Sequence, residues 1–295
     1  MIERVTIVGT GLIGASIGLA LKQAGFAGIV TGIDTNAGEL SAAMFAHAID
    51  RVASSEGELR QATEQADVVV LAVPVLAVLD WMQRLAPALK PHQLMTDVGS
   101  TKRQIADMAR EQFNAEGTAR FLPGHPMAGK EQGGAALAEA ELFRGATWLF
   151  TPTDRAEQAH EAEWRAWVAR FGAHAMDMDA ARHDEICAWV SHLPQMLSTA
   201  LAALLEETFA GDPARREEIA AIGGRALRET TRLGASPYSM WRDVALTNTE
   251  PIAQTLHALE QRLAHLRENL RTPELKEEFR LANEFRVGKA RPGKG

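Results

Sequence analysis

Through its first 178 residues the chain alternates short aliphatic, β-branched runs with longer stretches whose apolar positions recur every three to four residues. The runs at 5–8, 29–33, 68–73, 94–96, 121–122 and 147–150 read as strands, with 174–178 as a candidate last one. Residues 11–24, 75–89, 102–112 and 154–170 carry the helical period between them. That rhythm builds βαβ units, so the predicted fold class is α/β with a Rossmann-type, doubly wound, largely parallel sheet. From about Asp179 the strand signals stop. Helical patterns follow at 180–209, 213–231, 238–247, 250–270 and 274–285, with Gly211, Pro213, Gly234, Pro237, Pro251 and Pro273 as boundaries. The expected organisation is a dinucleotide-binding domain over residues 1–178 and an all-helical domain over 179–295.

Composition narrows the function classes. A chain of 295 residues accommodates two such domains, and 46% hydrophobic with 23% charged residues is ordinary globular composition. Lys and Arg number 31 against 38 Asp and Glu, a net charge of −7, which argues against a general nucleic-acid binder. The single Cys187 excludes an intrachain disulfide and a cysteine-cluster metal site, and fits a reducing cytoplasm. The most apolar long stretch, 186–205, is broken by Ser191, His192, Pro194, Gln195 and Ser198, so no membrane span is expected. Glu3 and Arg4 precede the first strand-like run, which contains Gly9 and Gly11, unlike a secretory signal. The nine histidines lack HxxxH or HExxH spacing, and no catalytic metal is expected.

Gly9-Thr10-Gly11-Leu12-Ile13-Gly14 matches G-x-G-x-x-G between a predicted strand and a predicted helix. Gly9 allows the tight turn, Gly11 lets backbone amides approach a pyrophosphate, and Gly14 lets the helix pack on the strand. The helix N-terminus offers free N–H groups and a partial positive charge to the phosphates. Asp34 closes the next strand, where a carboxylate accepts from ribose hydroxyls and repels a 2′-phosphate. With no Arg or Lys in residues 35–41, the expected cofactor is NAD rather than NADP.

Chemistry in such sheets sits beyond the carboxyl ends of the strands. Ser100, in the loop after 94–96, and His125, after 121–122, stand there. Histidine suits the base that a hydride transfer from a hydroxyl-bearing carbon needs near neutrality. From the residues alone Ser100 reads more readily as a helix N-cap, and His125 equally as a loop histidine satisfied by backbone. Arg232 reads more readily as a surface arginine, His192 also as a packing residue, Glu131 and Glu229 also as solvated acids, and Trp241 equally as core.

Residues 5–25 and the segments Val68-Val69-Val70-Leu71-Ala72-Val73-Pro74, Asp97-Val98-Gly99-Ser100-Thr101-Lys102, Gly124-His125-Pro126-Met127-Ala128-Gly129, Ser191-His192-Leu193-Pro194 and Thr231-Arg232…Met240-Trp241-Arg242-Asp243 together resemble the TyrA-type prephenate/arogenate (cyclohexadienyl) dehydrogenases. The resemblance implies NAD-dependent oxidative decarboxylation on the route to tyrosine, in which prephenate gives 4-hydroxyphenylpyruvate or arogenate gives tyrosine. It implies that His125 draws off the hydroxyl proton, with Ser100 in support, and that Arg232 binds a substrate carboxylate. His192, Gln195, Glu131, Glu229 and Trp241 are placed by it around the substrate, and Val73 and Pro74 with Gly9, Gly11, Leu12, Ile13, Gly14 and Asp34 around the cofactor. It also implies a homodimer formed through the helical domain, including the stripe Leu197, Leu201, Leu204 and Leu205, which from spacing alone reads as core. Two departures stand out. Gln195 occupies the position of a second histidine in many relatives, and residues 223–229 lack the family's extra glycines and carry Glu229 in place of Asp. Alternatives are a two-domain dehydrogenase acting on another small hydroxy or amino acid, and a non-catalytic NAD(H)-binding regulator.

Overall fold

In a computed structural model of the chain, residues 1–113, 115–130, 132–153 and 157–289 are described. Strands β1 (Arg4–Val8), β2 (Ile29–Ile33), β3 (Arg51–Val52), β4 (Val68–Leu71), β5 (Leu94–Asp97) and β6 (Arg120–Leu122) form one sheet in the order β3-β2-β1-β4-β5-β6. Every pairing in it is parallel. The strand order reverses between β1 and β4, the position at which a doubly wound sheet opens a crevice at its carboxyl edge.

The apolar runs become strands because the sheet is buried on both faces. Val5, Ile7, Val68 and Val70 point into one core with α1 (Leu12–Gln23). Val8, Val69, Leu71 and Met95 point into the other with α4 (Val75–Leu85) and α5 (Arg103–Gln112). Each aliphatic side chain so enclosed contributes roughly 1.5–3 kcal/mol. Between β2 and β4 lie α2 (Ala37–Phe45), β3 and α3 (Glu56–Glu64), which the periodicity reading does not name. Their signal is in the caps: the Asn36 side chain accepts from Gly38 N, and Ser55 and Glu58 form a reciprocal capping box.

The later strands depart from expectation. β7 (Gly124–Pro126), β8 (Thr147–Phe150) and β9 (His174–Asp177) do not extend the parallel sheet. They make a separate three-stranded sheet in which β7 runs antiparallel to β8 and β8 parallel to β9. Pro123, between β6 and β7, cannot donate to a ladder, and the chain bends there out of one sheet into the next. His125 therefore sits on a strand, opposite Leu149, rather than in a loop. Helix α6 (Ala159–Arg170) precedes β9.

The helical pattern at 180–209 is interrupted. Helix α7 (Ala180–Cys187) passes into a π turn over Ala188–His192 and then α8 (Leu193–Phe209). Pro194 has no N–H to return along the helix, and the ladder widens just before it. Helices α9 (Pro213–Ile222) and α10 (Gly224–Thr231), a 3-10 turn over Arg232–Ala235, and α11 (Tyr238–Thr247) follow. Then come α12 (Thr249–Glu268) and α13 (Glu274–Lys289). The chain divides into two compact units, residues 1–249 and 250–295. The expected boundary near residue 178 lies inside the first, between β9 and α7. Within the second unit, Arg262 of α12 pairs with Glu278 of α13 at 2.7 Å. Among the described residues no helix is long and apolar enough to cross a membrane.

Candidate active site

The glycine loop is shaped for an anion. A Cβ on Gly9, whose φ is +89°, would lie 2.3 Å from the Ala72 carbonyl oxygen at the end of β4. A Cβ on Gly14 would lie 1.9 Å from the Gly9 carbonyl oxygen. Nothing lies within 4 Å of the corresponding position on Gly11, so this side of the loop is open. Gly11 is also the N-cap of α1, with no side-chain cap and no acid in the first turn, leaving the helix N-terminal N–H groups to a ligand. Leu12 is buried and Ile13 partly so, anchoring the first turn of α1. Val73 packs against the Gly9 backbone, and Pro74 is the N-cap of α4.

Asp34 serves the same loop. Its Oδ2 accepts from Thr10 N at 2.7 Å and Thr10 Oγ1 at 3.3 Å, and its Oδ1 accepts from Asn36 N at 2.8 Å. The carboxylate thus pins the glycine turn, while its four lone-pair positions leave capacity for a ribose hydroxyl. These residues fit a dinucleotide: a cradle that a Cβ would fill, an open face at Gly11, uncapped N–H groups and an acid closing β2.

Beyond β5 the chain builds the second half of the site. Asp97 is fully buried, its Oδ2 accepting from Gly99 N at 2.7 Å and its Oδ1 from Gly124 N at 3.1 Å. The second bond fastens β7, and with it His125, to the Asp97–Lys102 loop that carries Ser100. The Lys102 ammonium donates to Asp97 Oδ2, both side chains being wholly enclosed. Burial pulls the Lys102 pKa down, and Asp97 and then Asp184 oppose that pull. Ser100 is not the cap of α5. That cap is supplied from α7, where Asp184 accepts from Lys102 N at 2.7 Å and from Arg103 N at 2.9 Å.

His125 Nδ1 lies 2.9 Å from His183 Nε2, and His183 Nδ1 lies 2.8 Å from Asp184 Oδ1. Cys187 Sγ stands 3.6 Å from the same His183 Nε2, completing a buried His125–His183–Cys187 cluster. Burial first, then His183, Lys102 and His192, hold the His125 pKa well below the usual imidazole value. The ring is therefore neutral at pH 7 and able to accept a proton. His192, in the π turn, is buried, and its Nδ1 meets Asn248 Nδ2 at 3.1 Å. Asn248 Nδ2 also donates to the Asp184 carbonyl oxygen at 2.9 Å. Burial pushes the His192 pKa down to about 4. Its Nε2 is buried without a hydrogen-bond partner among the described residues, and Trp241 meets its ring edge-on at 5.8 Å.

Arg232 opens the 3-10 turn after α10 with its side chain exposed. Gln195 holds that turn: its Nε2 donates to the Leu233 carbonyl oxygen at 2.7 Å and to Thr199 Oγ1 at 3.1 Å, and its Oε1 accepts from Ser236 Oγ at 3.2 Å. Ser198 Oγ accepts from Gly234 N at 2.9 Å. The Gln195 amide is thus engaged within the protein, on the turn that Arg232 opens. Glu229 pairs with Arg225 at 2.6 Å on an exposed face of α10. Glu131 lies outside the described residues. Periodicity and motif reading single out neither His183 nor Asp184 as site residues. Their signal is a His-Asp pair opening the same helical run that carries Ser191-His192.

A parallel sheet in the Rossmann order, a glycine cradle at its switch point and a buried neutral histidine beyond the neighbouring strands define an NAD-dependent dehydrogenase. Residues 17–176 match the family described as prephenate dehydrogenase, nucleotide-binding domain, and residues 179–285 match prephenate dehydrogenase, dimerization domain. A prephenate dehydrogenase of Lactococcus lactis subsp. cremoris is 32% identical over 267 residues, covering 90% of this chain and 70% of that one. The crystal structure of a prephenate dehydrogenase from A. aeolicus with hydroxyphenyl propionate and NAD+ superposes with a TM-score of 0.84 at 26% identity, over 98% of both chains. A Synechocystis arogenate dehydrogenase does so with a TM-score of 0.75 at 27% identity, over 97% of this chain and 99% of that one. The chain belongs to the prephenate dehydrogenase family.

Proposed function

We propose that the protein catalyses NAD-dependent oxidative decarboxylation of prephenate to 4-hydroxyphenylpyruvate, with His125 as the base and Arg232 as the carboxylate anchor. The observation that carries this reading is the state of His125. It is buried, with Nδ1 2.9 Å from His183 Nε2, and burial holds its pKa well below the usual imidazole value.

Bound NAD supplies the hydride acceptor. His125 Nε2 accepts the proton of the ring hydroxyl as the carbon bearing it becomes a carbonyl. The electron pair of the bond to the departing carboxylate then enters the ring, CO2 leaves, and the ring becomes aromatic. His125 returns its proton to the ring oxygen, so prephenate and NAD give 4-hydroxyphenylpyruvate, CO2 and NADH. Ser100 hydrogen-bonds the same hydroxyl from the loop that Asp97 ties to β7. The fixed dipoles and the exclusion of water around His125 favour charge developing on the ring oxygen.

A dianionic substrate calls for a fixed cation, and a guanidinium grips a carboxylate with two parallel hydrogen bonds. Gln195 and Ser198 hold the turn from which Arg232 reaches. The unpartnered His192 Nε2 is a further buried polar group that substrate can satisfy. Trp241 walls that side, and Glu229 borders the entrance. Asp34 accepts from the ribose hydroxyls and disfavours a 2′-phosphate.

The helical module, residues 179–295, serves as the substrate and dimerisation domain. Only Gln195 and Ser198 are buried along the seventeen residues of α8, while Leu204 is 60% and Ile222 of α9 82% exposed. Apolar side chains left open in this way support a homodimer through the helices. Cys187, a single buried thiol, fits the reducing cytoplasm.

The test is NADH formation by purified protein with prephenate and with arogenate, each with NAD and with NADP. Turnover of prephenate with NAD is the expected result. Silence on prephenate with NAD binding intact would overturn the reading.

A further inference from the structure

We infer that His183 and Asp184 are positioning residues that set the tautomer of His125, so that the proton-accepting nitrogen is Nε2. The inference rests on the reading of His125 as the base.

A line of hydrogen bonds runs inward from α5. Asp184 accepts the backbone N–H groups of Lys102 and Arg103, which fixes its carboxylate at the end of that helix. Its Oδ1 stands 2.8 Å from His183 Nδ1, and a carboxylate can only accept there, so His183 donates from Nδ1. A neutral imidazole that donates from Nδ1 presents a bare Nε2. The Cys187 thiol, its pKa pushed up to about 12 mainly by burial, keeps its proton and places no thiolate beside that nitrogen. His125 Nδ1, 2.9 Å from this acceptor, must then carry the hydrogen. His125 Nε2 is left with its lone pair.

In water a neutral histidine favours the opposite tautomer, with the hydrogen on Nε2, which could donate to the substrate hydroxyl but not take its proton. The chain Asp184–His183–His125 thus performs for this base what a carboxylate performs for the histidine of a hydrolytic triad, through one intervening imidazole. Because Asp184 also caps α5, the base is set against the same helix that follows the Ser100 loop.

The test combines imidazole 15N NMR with kinetics on full-length protein. Signals of His125 are identified by their loss in His125→Asn. In the wild type His125 is expected to show a protonated Nδ1 and a bare Nε2. In His183→Leu it should revert to the Nε2–H form, with kcat lowered by roughly 10²- to 10⁴-fold, the range seen when an orienting partner of a catalytic histidine is lost, and with the Kd for NAD unchanged. His183→Gln, whose amide oxygen can accept from Nδ1–H, should keep the native tautomer and recover kcat to within about tenfold of wild type. Wild-type His125 found as the Nε2–H tautomer would overturn the inference, as would a folded His183→Leu enzyme with wild-type kcat. Should His125→Asn itself remain active, the assignment of the base fails and the relay with it. An inactive His125→Asn beside a fully active His183→Leu rejects the relay alone.

Discussion

The carbonyl oxygen of Gly9 occupies the place that a side chain on Gly14 would need, 1.9 Å from its ideal Cβ, whereas the same test at Gly11 meets nothing within 4 Å. Two glycines of one motif are thus required for different reasons. Gly14→Ala must displace backbone and should cost about 1–3 kcal/mol of stability. Gly11→Ala should leave the melting temperature unchanged, because its φ of −67° suits any residue. Its methyl group would project toward the phosphates and raise the Kd for NAD on the order of tenfold or more, about 1.4 kcal/mol. Thermal melts paired with NAD titrations check both, and a Gly11→Ala protein with native affinity would show that the pyrophosphate lies elsewhere.

Removing the cation of the buried Lys102–Asp97 pair leaves an uncompensated carboxylate. Lys102→Met should destabilise the protein by about 3–5 kcal/mol. Asp97→Asn keeps an oxygen that can accept from Gly124 N but strands the Lys102 ammonium, and should cost a comparable amount. Urea unfolding measures both variants against wild type, and a wild-type midpoint in either would count against the pair as the anchor of β7.

Acid should weaken the fold through His192. Its folded pKa of about 4 lies below the ordinary value of 6.5, so between these pH values the unfolded chain binds a proton that the folded chain refuses. Stability from this group is complete above pH 6.5 and drains as pH falls toward 4, by up to roughly 3 kcal/mol. His125 is shifted in the same direction and adds to the slope. Urea midpoints at pH 7, 6 and 5 should fall in that order, and less steeply in His192→Gln.

The same lowering of His125 bears on catalysis. A base that stays neutral below pH 6.5 keeps the acid limb of kcat/KM below that value, and an acid limb at or above pH 7 would contradict the burial that sets it.

Arg232 stands on a turn held by Gln195 and Ser198 and is exposed itself. Arg232→Gln should therefore leave folding intact and raise KM for the substrate by one to two orders of magnitude, about 1.4–2.8 kcal/mol of lost binding. NAD affinity should not move. Gln195→Ala should raise KM too, by loosening the turn, although its amide is engaged within the protein.

Much of this protein is legible in its residues read singly. The aliphatic runs at 5–8, 29–33 and 68–71 name the central strands because a sheet covered on both faces admits little else. The glycine spacing at 9, 11 and 14 names the cofactor loop because only the missing Cβ permits those approaches. The family motifs brought forward Ser100, His125, His192 and Arg232. Local pattern could not assign β7, β8 and β9 to a second sheet, because periodicity records which face a residue buries and not which strand it pairs with. Nor could it find the His125–His183 contact, which joins positions 58 residues apart, or Asp184 capping a helix that begins 81 residues earlier. Burial, the quantity that keeps His125 neutral and Lys102 paired, exists only once β7, α5 and α7 have packed together. Residue types and their spacing set most of the elements and the groups able to do the chemistry. Tertiary structure alone decided which nitrogen of His125 faces His183, because that contact rests on partners brought in from distant parts of the chain.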